Sequence, residues 1–188
     1  MPALEKENIM KLKEFNIAFA GLKQGKHEFT FELDNKFFES FGYDEFNSAA
    51  VIATVELDKR STLIDLSIEG SGSVNVNCDV TNEPFDLPID ATMEIVVKFG
   101  DHYNDDNEDI LILPHGEYEV SVGQYLYEMV VLSIPFKRTH PGLEDGSLES
   151  EVLDKLEELK LSSPDEKNQG TDIDPRWEAL KKLKTDNN

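Results

Sequence analysis

Residues 121–141, SVGQYLYEMVVLSIPFKRTHP, form the stretch on which the fold depends. It combines an apolar segment, one carboxylate inside that segment and a basic cluster after it. The residues that fall near one face at helical spacing are Val122, Leu126, Met129, Val130 and Ser133, with Tyr125 and Leu132 beside them. Because most of the circumference is apolar, we predict a largely buried helix. Ser121 is its predicted N-cap, and Pro135 ends it, since proline lacks an N–H and favours an extended residue before it.

Glu128 is the one carboxylate within this apolar helix. Either it points along a polar edge of the helix, or it is hydrogen-bonded to another segment, with Lys137 or Arg138 as the donor. A buried carboxylate without a partner is costly and therefore rare. No second group stands at a spacing that would make Glu128 catalytic, so we predict a recognition or anchoring role.

The composition limits the possible functions. The chain has 188 residues, of which 39% are hydrophobic, enough for one domain with or without an appendage. Its 39 acidic residues outnumber 18 basic ones and give a formal net charge of −21. Because nucleic acid is bound largely through Lys and Arg, we expect no DNA binding and at most weak or indirect RNA binding.

Cysteine and histidine usage gives no sign of a metal or a disulfide. Cys78 is the only cysteine, which excludes an intramolecular disulfide and an all-cysteine zinc site, and we interpret it as a small buried hydrophobic residue. The four histidines have no ligand spacing, so we predict no cofactor. The first residues have no apolar signal segment and no stretch is long enough to span a membrane, so we expect a soluble, cytoplasmic monomer.

The N-terminal third predicts a hairpin followed by a short helix. After a loose segment 1–9, alternating residues at 15–19 and 27–33 predict two strands joined by the turn sequence GLKQGK. The sequence KFFESF then predicts a short helix capped by Asp34 or Asn35, and its Phe37, Phe38 and Phe41 are predicted core residues.

The middle third predicts a sheet. Five strands are expected at 49–57, 62–69, 72–78, 85–89 and 91–99, linked by the turn sequences DKRS, GSG and TNEP. Short links favour antiparallel pairing. Val74 and Val76 alternate with Asn75 and Asn77, which predicts one polar face. The predicted fold class is therefore α+β, an antiparallel β-sheet or partly closed barrel packed by one buried helix, within a domain spanning 10–141.

Residues 100–109, GDHYNDDNED, predict a solvated acidic loop, followed by a short strand at 109–114. The loop lacks the spacing, the glycine and the final glutamate of an EF-hand. Asp101 to Asp109 could still hold magnesium, which leaves a metal-dependent nuclease as an alternative. No other enzyme motif is present, and we predict that the protein is not an enzyme.

Beyond Pro141 the composition changes. Residues 142–174 contain eleven Asp and Glu against three Lys, which predicts a flexible acidic linker enclosing one amphipathic helix at 148–161. A C-terminal helix at 175–188 follows, with Asp174 as N-cap, Pro175 in its first turn, and then Arg176 and Trp177. This helix is either a docking peptide or folds back onto its own domain.

The order of these features resembles the YceD family of bacterial proteins. The matching motifs are GSGSVNVNCDVTNEPFDLPI with Gly72 and Cys78, the helix from Tyr125 through Glu128 to Pro135 and Lys137, and the tail from Asp174 through Trp177 to Leu183. Many members have a Cys-x-x-Cys with Arg before the second cysteine, and this chain has Val80 in place of that arginine and Thr81 in place of the second cysteine. A metal site in such relatives would therefore be lost here.

The resemblance implies a ribosome biogenesis factor acting in the synthesis, processing or stability of 23S ribosomal RNA. With the net charge, it favours binding of a basic ribosomal or assembly protein. The alternative is direct RNA binding by a patch of Lys137, Arg138 and the lysines at 181–184. The predicted recognition residues are Glu128, Lys137, Arg138, Asp174, Pro175, Arg176 and Trp177.

Overall fold

A computed structural model of the protein describes residues 13–143, 146–148 and 151–161. The chain divides into two units between Asp145 and Gly146. The strands of the first unit are β1 (Asn16–Ala18), β2 (Gly25–Asp34), β3 (Ser48–Lys59), β4 (Leu63–Asn77), β5 (Pro84–Gly100), β6 (Asn104–Asn107), β7 (Ile110–Pro114) and β8 (Glu119–Ser121). Its α-helices are α1 (Asn35–Ser40) and α2 (Gly123–Ser133), and the second unit contributes α3 (Glu151–Leu161). No helix in these ranges is long and apolar enough to cross a membrane.

The predicted α+β class is confirmed, with a correction to the strand pairing. The main sheet has the order β2-β3-β4-β5-β7-β6, and β5 and β7 are parallel whereas every other neighbouring pair is antiparallel. The chain leaves β5, forms the outer strand β6 and returns as β7 between the two, so β7 runs in the direction of β5. Within the described residues the order ends at β2 and at β6, so the sheet is open and not a barrel.

The predicted break of β4 at GSG is wrong, because β4 is one continuous strand through Gly70 and Gly72. Close packing leaves no room for a side chain at these two glycines. A Cβ on Gly72, whose φ is +154°, would overlap the carbonyl oxygen of Ala50 on β3, and a Cβ on Gly70 would lie 2.5 Å from the Met129 Cε. Glycine inside a strand commonly marks such a close approach.

The predicted division of β5 near residue 90 is also wrong, because the strand is continuous from Pro84 to Gly100. Its proline at position 88 is tolerated because β5 pairs with β7 only from Val96 onward, which leaves Pro88 on an edge of the sheet.

The predicted N-terminal hairpin is wrong. β2 is present, but β1 pairs antiparallel with β8, about a hundred residues along the chain, and not with β2. Ile17 and Phe19 are buried there, and the Phe19 ring lies 5.7 Å from that of Phe99. Local alternation predicted a strand, but burial against a distant segment selected its partner.

The short helix is confirmed as α1, and Asp34 is its N-cap. The Asp34 side chain accepts a hydrogen bond from the Phe37 N–H at 3.0 Å. Phe37 and Phe38 are buried in an aromatic cluster, as predicted for core residues.

The helix expected at the centre of the fold is present as α2, with two corrections. Ser121 is the last residue of β8, so Val122 occupies the N-cap position and makes no side-chain hydrogen bond there. The buried residues are Gly123, Leu126, Met129 and Val130, whereas Leu132 is 77% exposed, so α2 buries one face only. The predicted end before Pro135 is confirmed, since Ile134 is extended.

Two further expectations are corrected at the periphery. Part of the predicted loop at 100–109 is the strand β6, which pairs with β7. The linker helix is present as α3 but begins at Glu151. The predicted loose segment 1–9 and the tail residues Asp174, Pro175, Arg176 and Trp177 lie outside the described residues.

Candidate functional site

The main sheet has one apolar face and one acidic face. In β3, Val51, Ala53, Val55 and Leu57 are buried, while the residues between them point to the opposite side. The strand registers place ten carboxylates on that opposite side: Glu28, Glu32, Asp34, Glu56, Asp58, Asp65, Glu69, Asp86, Asp90 and Glu94. The strands contribute two lysines to the same side, Lys26 and Lys98. We call this side the acidic sheet face.

Part of the acidic sheet face is neutralised internally. The Lys26 Nζ lies 2.6 Å from the Glu56 Oε1, and this hydrogen bond raises the pKa of Lys26. The Arg60 guanidinium lies 2.6 Å from the Asp65 carboxylate and 3.5 Å from that of Asp58.

Five exposed carboxylates of this face, Glu28, Glu32, Glu69, Asp90 and Glu94, form neither an ion pair nor a side-chain hydrogen bond within the described residues. They therefore leave an open, negatively charged surface that can attract a cationic partner.

The predicted polar side of the GSGSVNVNC segment is confirmed at one end of this face. Val74 and Val76 are buried, whereas Asn75 and Asn77 point outward and accept hydrogen bonds from the Asn47 amide at 3.0 and 2.8 Å. Asn75 in turn donates to Asp86 at 2.7 Å.

Arg138 anchors the segment that follows α2. Its guanidinium lies 3.3 Å from Asp79 and 3.2 Å from Glu45. Its backbone N–H donates to the Asp79 carboxylate at 2.7 Å, and its carbonyl accepts from the Asp79 N–H at 2.8 Å. Arg138 therefore already holds two carboxylates, while its neighbour Lys137 is exposed.

The same segment covers Cys78, which is buried as predicted. The His140 N–H donates to the Cys78 Sγ at 3.4 Å, and the His140 ring lies 5.5 Å from that of Phe85. Burial raises the pKa of the Cys78 thiol, but hydrogen bonds from Thr81, His140 and Val80 lower it, and the resulting pKa is about 7.

Thr81, which stands where the resemblance implies a second cysteine, is itself buried. Within the described ranges, no group of three or more His, Cys, Asp or Glu side chains is arranged to hold a metal ion.

Glu128 lies on the outward side of α2. Its carboxylate accepts a hydrogen bond from the Gln124 amide at 2.5 Å, one turn earlier in the same helix. Its partner is thus neither Lys137 nor Arg138, and of the two interpretations left open by the sequence, the polar edge of the helix is the one observed.

Glu128 contributes to a groove of about 660 Å³ between α2 and the β6 region. We call it the tyrosine groove. Its apolar lining comes from Met93, Tyr103, Tyr125, Tyr127, Val131 and Leu132. The carboxylates that line it are Asp105, Glu108 and Glu128.

The structure brings together only some of the predicted recognition residues. Lys137 and Arg138 follow α2, and Arg138 pairs with Asp79 and Glu45, two residues that were not predicted from the sequence. Glu128 lines the tyrosine groove instead. Outward-facing carboxylates at alternate positions, such as Glu56 and Asp58, were the signal that could have revealed the acidic sheet face.

These features define the class of protein: an acidic α+β domain built on an open sheet with one apolar and one acidic face. Comparison with known families gives a finer assignment. The sequence model described as "Large ribosomal RNA subunit accumulation protein YceD" matches residues 66–184. The chain belongs to the YceD family, and this membership supports a role in the biogenesis or stability of ribosomal RNA. No curated protein and no solved structure matches the chain.

Proposed function

We propose that the protein supports the synthesis, processing or stability of 23S ribosomal RNA by binding a basic ribosomal or assembly protein through its acidic sheet face. The observation that carries the proposal is the charge of this face, where ten carboxylates accompany two lysines and Arg60. The proteins that assemble with ribosomal RNA must neutralise phosphate and are therefore rich in Lys and Arg. An acidic surface of this kind attracts such a protein before it meets RNA and repels RNA itself.

Direct RNA binding has less support. The Arg138 guanidinium is engaged by Asp79 and Glu45, which offset its charge, so that Lys137 is the remaining cation of the predicted pair. Three carboxylates also line the tyrosine groove next to α2. A phosphate backbone would meet no net positive charge around Arg138 and net negative charge at the tyrosine groove.

Affinity purification of the tagged protein from its own cells tests the proposal. The sample is divided, washed with or without nuclease, and analysed for both protein and RNA. We expect a basic ribosomal or assembly protein that survives nuclease. If the captured material consists of 23S RNA and is lost on nuclease treatment, the proposal is overturned.

Two charge variants locate the interaction. The first neutralises the five exposed carboxylates of the acidic sheet face that have no partner within the described residues: Glu28→Gln, Glu32→Gln, Glu69→Gln, Asp90→Asn and Glu94→Gln. The matched control removes the same number of charges from exposed positions elsewhere: Glu39→Gln, Asp44→Asn, Asp101→Asn, Asp109→Asn and Glu117→Gln.

Charges at the edge of an interface contribute roughly 0.2–1 kcal/mol each, so we expect the loss of five of them to weaken partner binding by at least about fivefold. The control should bind as the unaltered protein does, and both should unfold at similar temperatures. Equal loss in the two variants would mean that net charge alone governs capture and that the acidic sheet face has no special role.

A further inference from the structure

The tyrosine groove leaves apolar side chains in contact with water. Leu132 is 77% exposed and Tyr103 is 57% exposed, on opposite sides of the groove. Its volume of about 660 Å³ falls within the range of roughly 300–1,000 Å³ that is typical of ligand sites. Exposed apolar groups that border a cavity commonly mark a binding surface. Tyrosine is also among the residue types that dominate the binding energy of interfaces.

The charge of the groove restricts what can occupy it. Asp105, Glu108 and Glu128 line it, and none of the described lining residues is Lys or Arg. Burial, and to a lesser extent the neighbouring Tyr103, Asp105 and Glu128, raise the pKa of Tyr125 to about 12, so its hydroxyl stays neutral and able to donate a hydrogen bond. The Tyr103 hydroxyl also donates to the Asp105 carboxylate at 3.0 Å, which fixes one wall of the groove.

These properties fit a segment that is apolar on one side and cationic on the other. The apolar side would cover Leu132 and Tyr103, and Lys or Arg side chains would reach Asp105, Glu108 and Glu128. RNA fits poorly because its phosphates would face three carboxylates. A second copy of the chain fits poorly as well, because each copy carries a net charge of −21.

We propose that the tyrosine groove binds a cationic amphipathic segment of the basic partner protein. This inference rests on the proposed function, because it assigns a docking site for the same partner. The acidic sheet face then provides long-range attraction, and the tyrosine groove provides the apolar contacts that hold the complex together.

Photocrosslinking inside cells tests the docking site. A benzophenone amino acid replaces Leu132 in the full chain, and the control carries it at Phe136, which is fully exposed but does not line the groove. We expect the Leu132 probe to crosslink to a Lys- and Arg-rich segment with apolar residues, in the same protein that survives nuclease. The Phe136 probe should give little of this product.

The other outcomes separate this inference from the proposed function. Crosslinks from the Leu132 probe to RNA, to residues 174–184 of the same chain or to a second copy would overturn the docking assignment. Absence of a Leu132 crosslink while nuclease-resistant capture persists would overturn it alone. If no basic protein is captured at all, the proposed function itself is overturned, and the docking assignment that rests on it is overturned as well.

Two uncharged substitutions measure the contribution of the groove. We expect Leu132→Gln and Tyr103→Gln together to weaken partner capture by about tenfold or more, the usual effect of removing interface anchors. Phe136→Gln should leave capture unchanged. Unaltered capture in the double variant, with an unchanged unfolding temperature, would contradict the assignment.

Discussion

Replacing Arg138 by Met separates a structural role for this arginine from a role in recognition. The substitution removes the guanidinium that lies 3.3 Å from Asp79 and 3.2 Å from Glu45. Methionine keeps most of the apolar stem. The backbone hydrogen bonds between residue 138 and Asp79 remain, because they involve the main chain of residue 138.

The expected loss of stability is modest. The Arg138 side chain is 27% exposed, and its partners Asp79 and Glu45 are 35% and 59% exposed, so water screens both pairs. Exposed pairs contribute roughly 0.2–1 kcal/mol each, which gives about 1 kcal/mol for the two together. For a chain of this size, that corresponds to a fall in the unfolding temperature of roughly 2–4 °C.

Urea unfolding at low and at high salt is the assay. Arg138→Met should unfold at a lower urea concentration, and the difference from the unaltered protein should shrink as salt screens the pairs. Lys137→Met, at an exposed neighbouring position, is the control and should unfold as the unaltered protein does. Partner capture should survive in both variants.

An unchanged urea midpoint in Arg138→Met would refute the assignment of a structural anchor. Loss of RNA or partner capture without loss of stability would show instead that the guanidinium contacts a ligand, as the predicted basic patch of Lys137 and Arg138 requires.

Three further predictions follow from local geometry. Gly72→Ala should destabilise the first unit by roughly 3 kcal/mol or more, because the new methyl overlaps the Ala50 carbonyl and the φ of +154° is unfavourable for alanine. Thermal unfolding followed by circular dichroism measures this loss, and a loss below about 1 kcal/mol would contradict the prediction. Asp34→Ala should lower the free energy of unfolding by about 1 kcal/mol through loss of the α1 cap, whereas Asp34→Asn should be nearly neutral in the same assay. The Cys78 thiol should titrate near pH 7 when its ionisation is followed by the absorbance at 240 nm. Because folding lowers its pKa, the free energy of unfolding, compared with that of Cys78→Ala, should rise from about pH 7 towards pH 9. A titration midpoint of the thiol near pH 9 would contradict this prediction.

Local sequence patterns were sufficient to predict those features whose determinants lie within a few residues of each other. Asp34 capped the helix that the sequence assigned to it, and Pro135 ended α2 where its missing N–H required. The alternation of Val74 and Val76 with asparagines correctly predicted one buried and one polar side of β4.

Pairing between distant segments was the part that local patterns could not supply. The alternation around Ile17 predicted a strand but not its partner β8, and nothing in the sequence of β7 shows that it lies between β5 and β6. Gly70 and Gly72 resemble turn residues unless the packing of Met129 and Ala50 against them is known.

Only part of the candidate site could be predicted, because its contacts also join segments that are distant in the sequence. The sequence singled out Arg138 and Glu128 from their positions around α2 but did not identify their partners. Asp79 and Glu45 are 59 and 93 residues away from Arg138, so only the folded chain reveals that its charge is taken up. The acidic sheet face depends on strand register, which places side chains from four strands on one side.

The most direct test of the central claim is binding by the purified protein in the absence of any other cell component. It is titrated separately with proteins extracted from purified large ribosomal subunits and with fragments of naked 23S ribosomal RNA, at low and at moderate salt. We predict saturable binding to one or more basic proteins that weakens as salt increases, and no tight binding to RNA. Tight binding to 23S fragments without a protein partner would contradict the claim that the acidic surface acts on basic proteins.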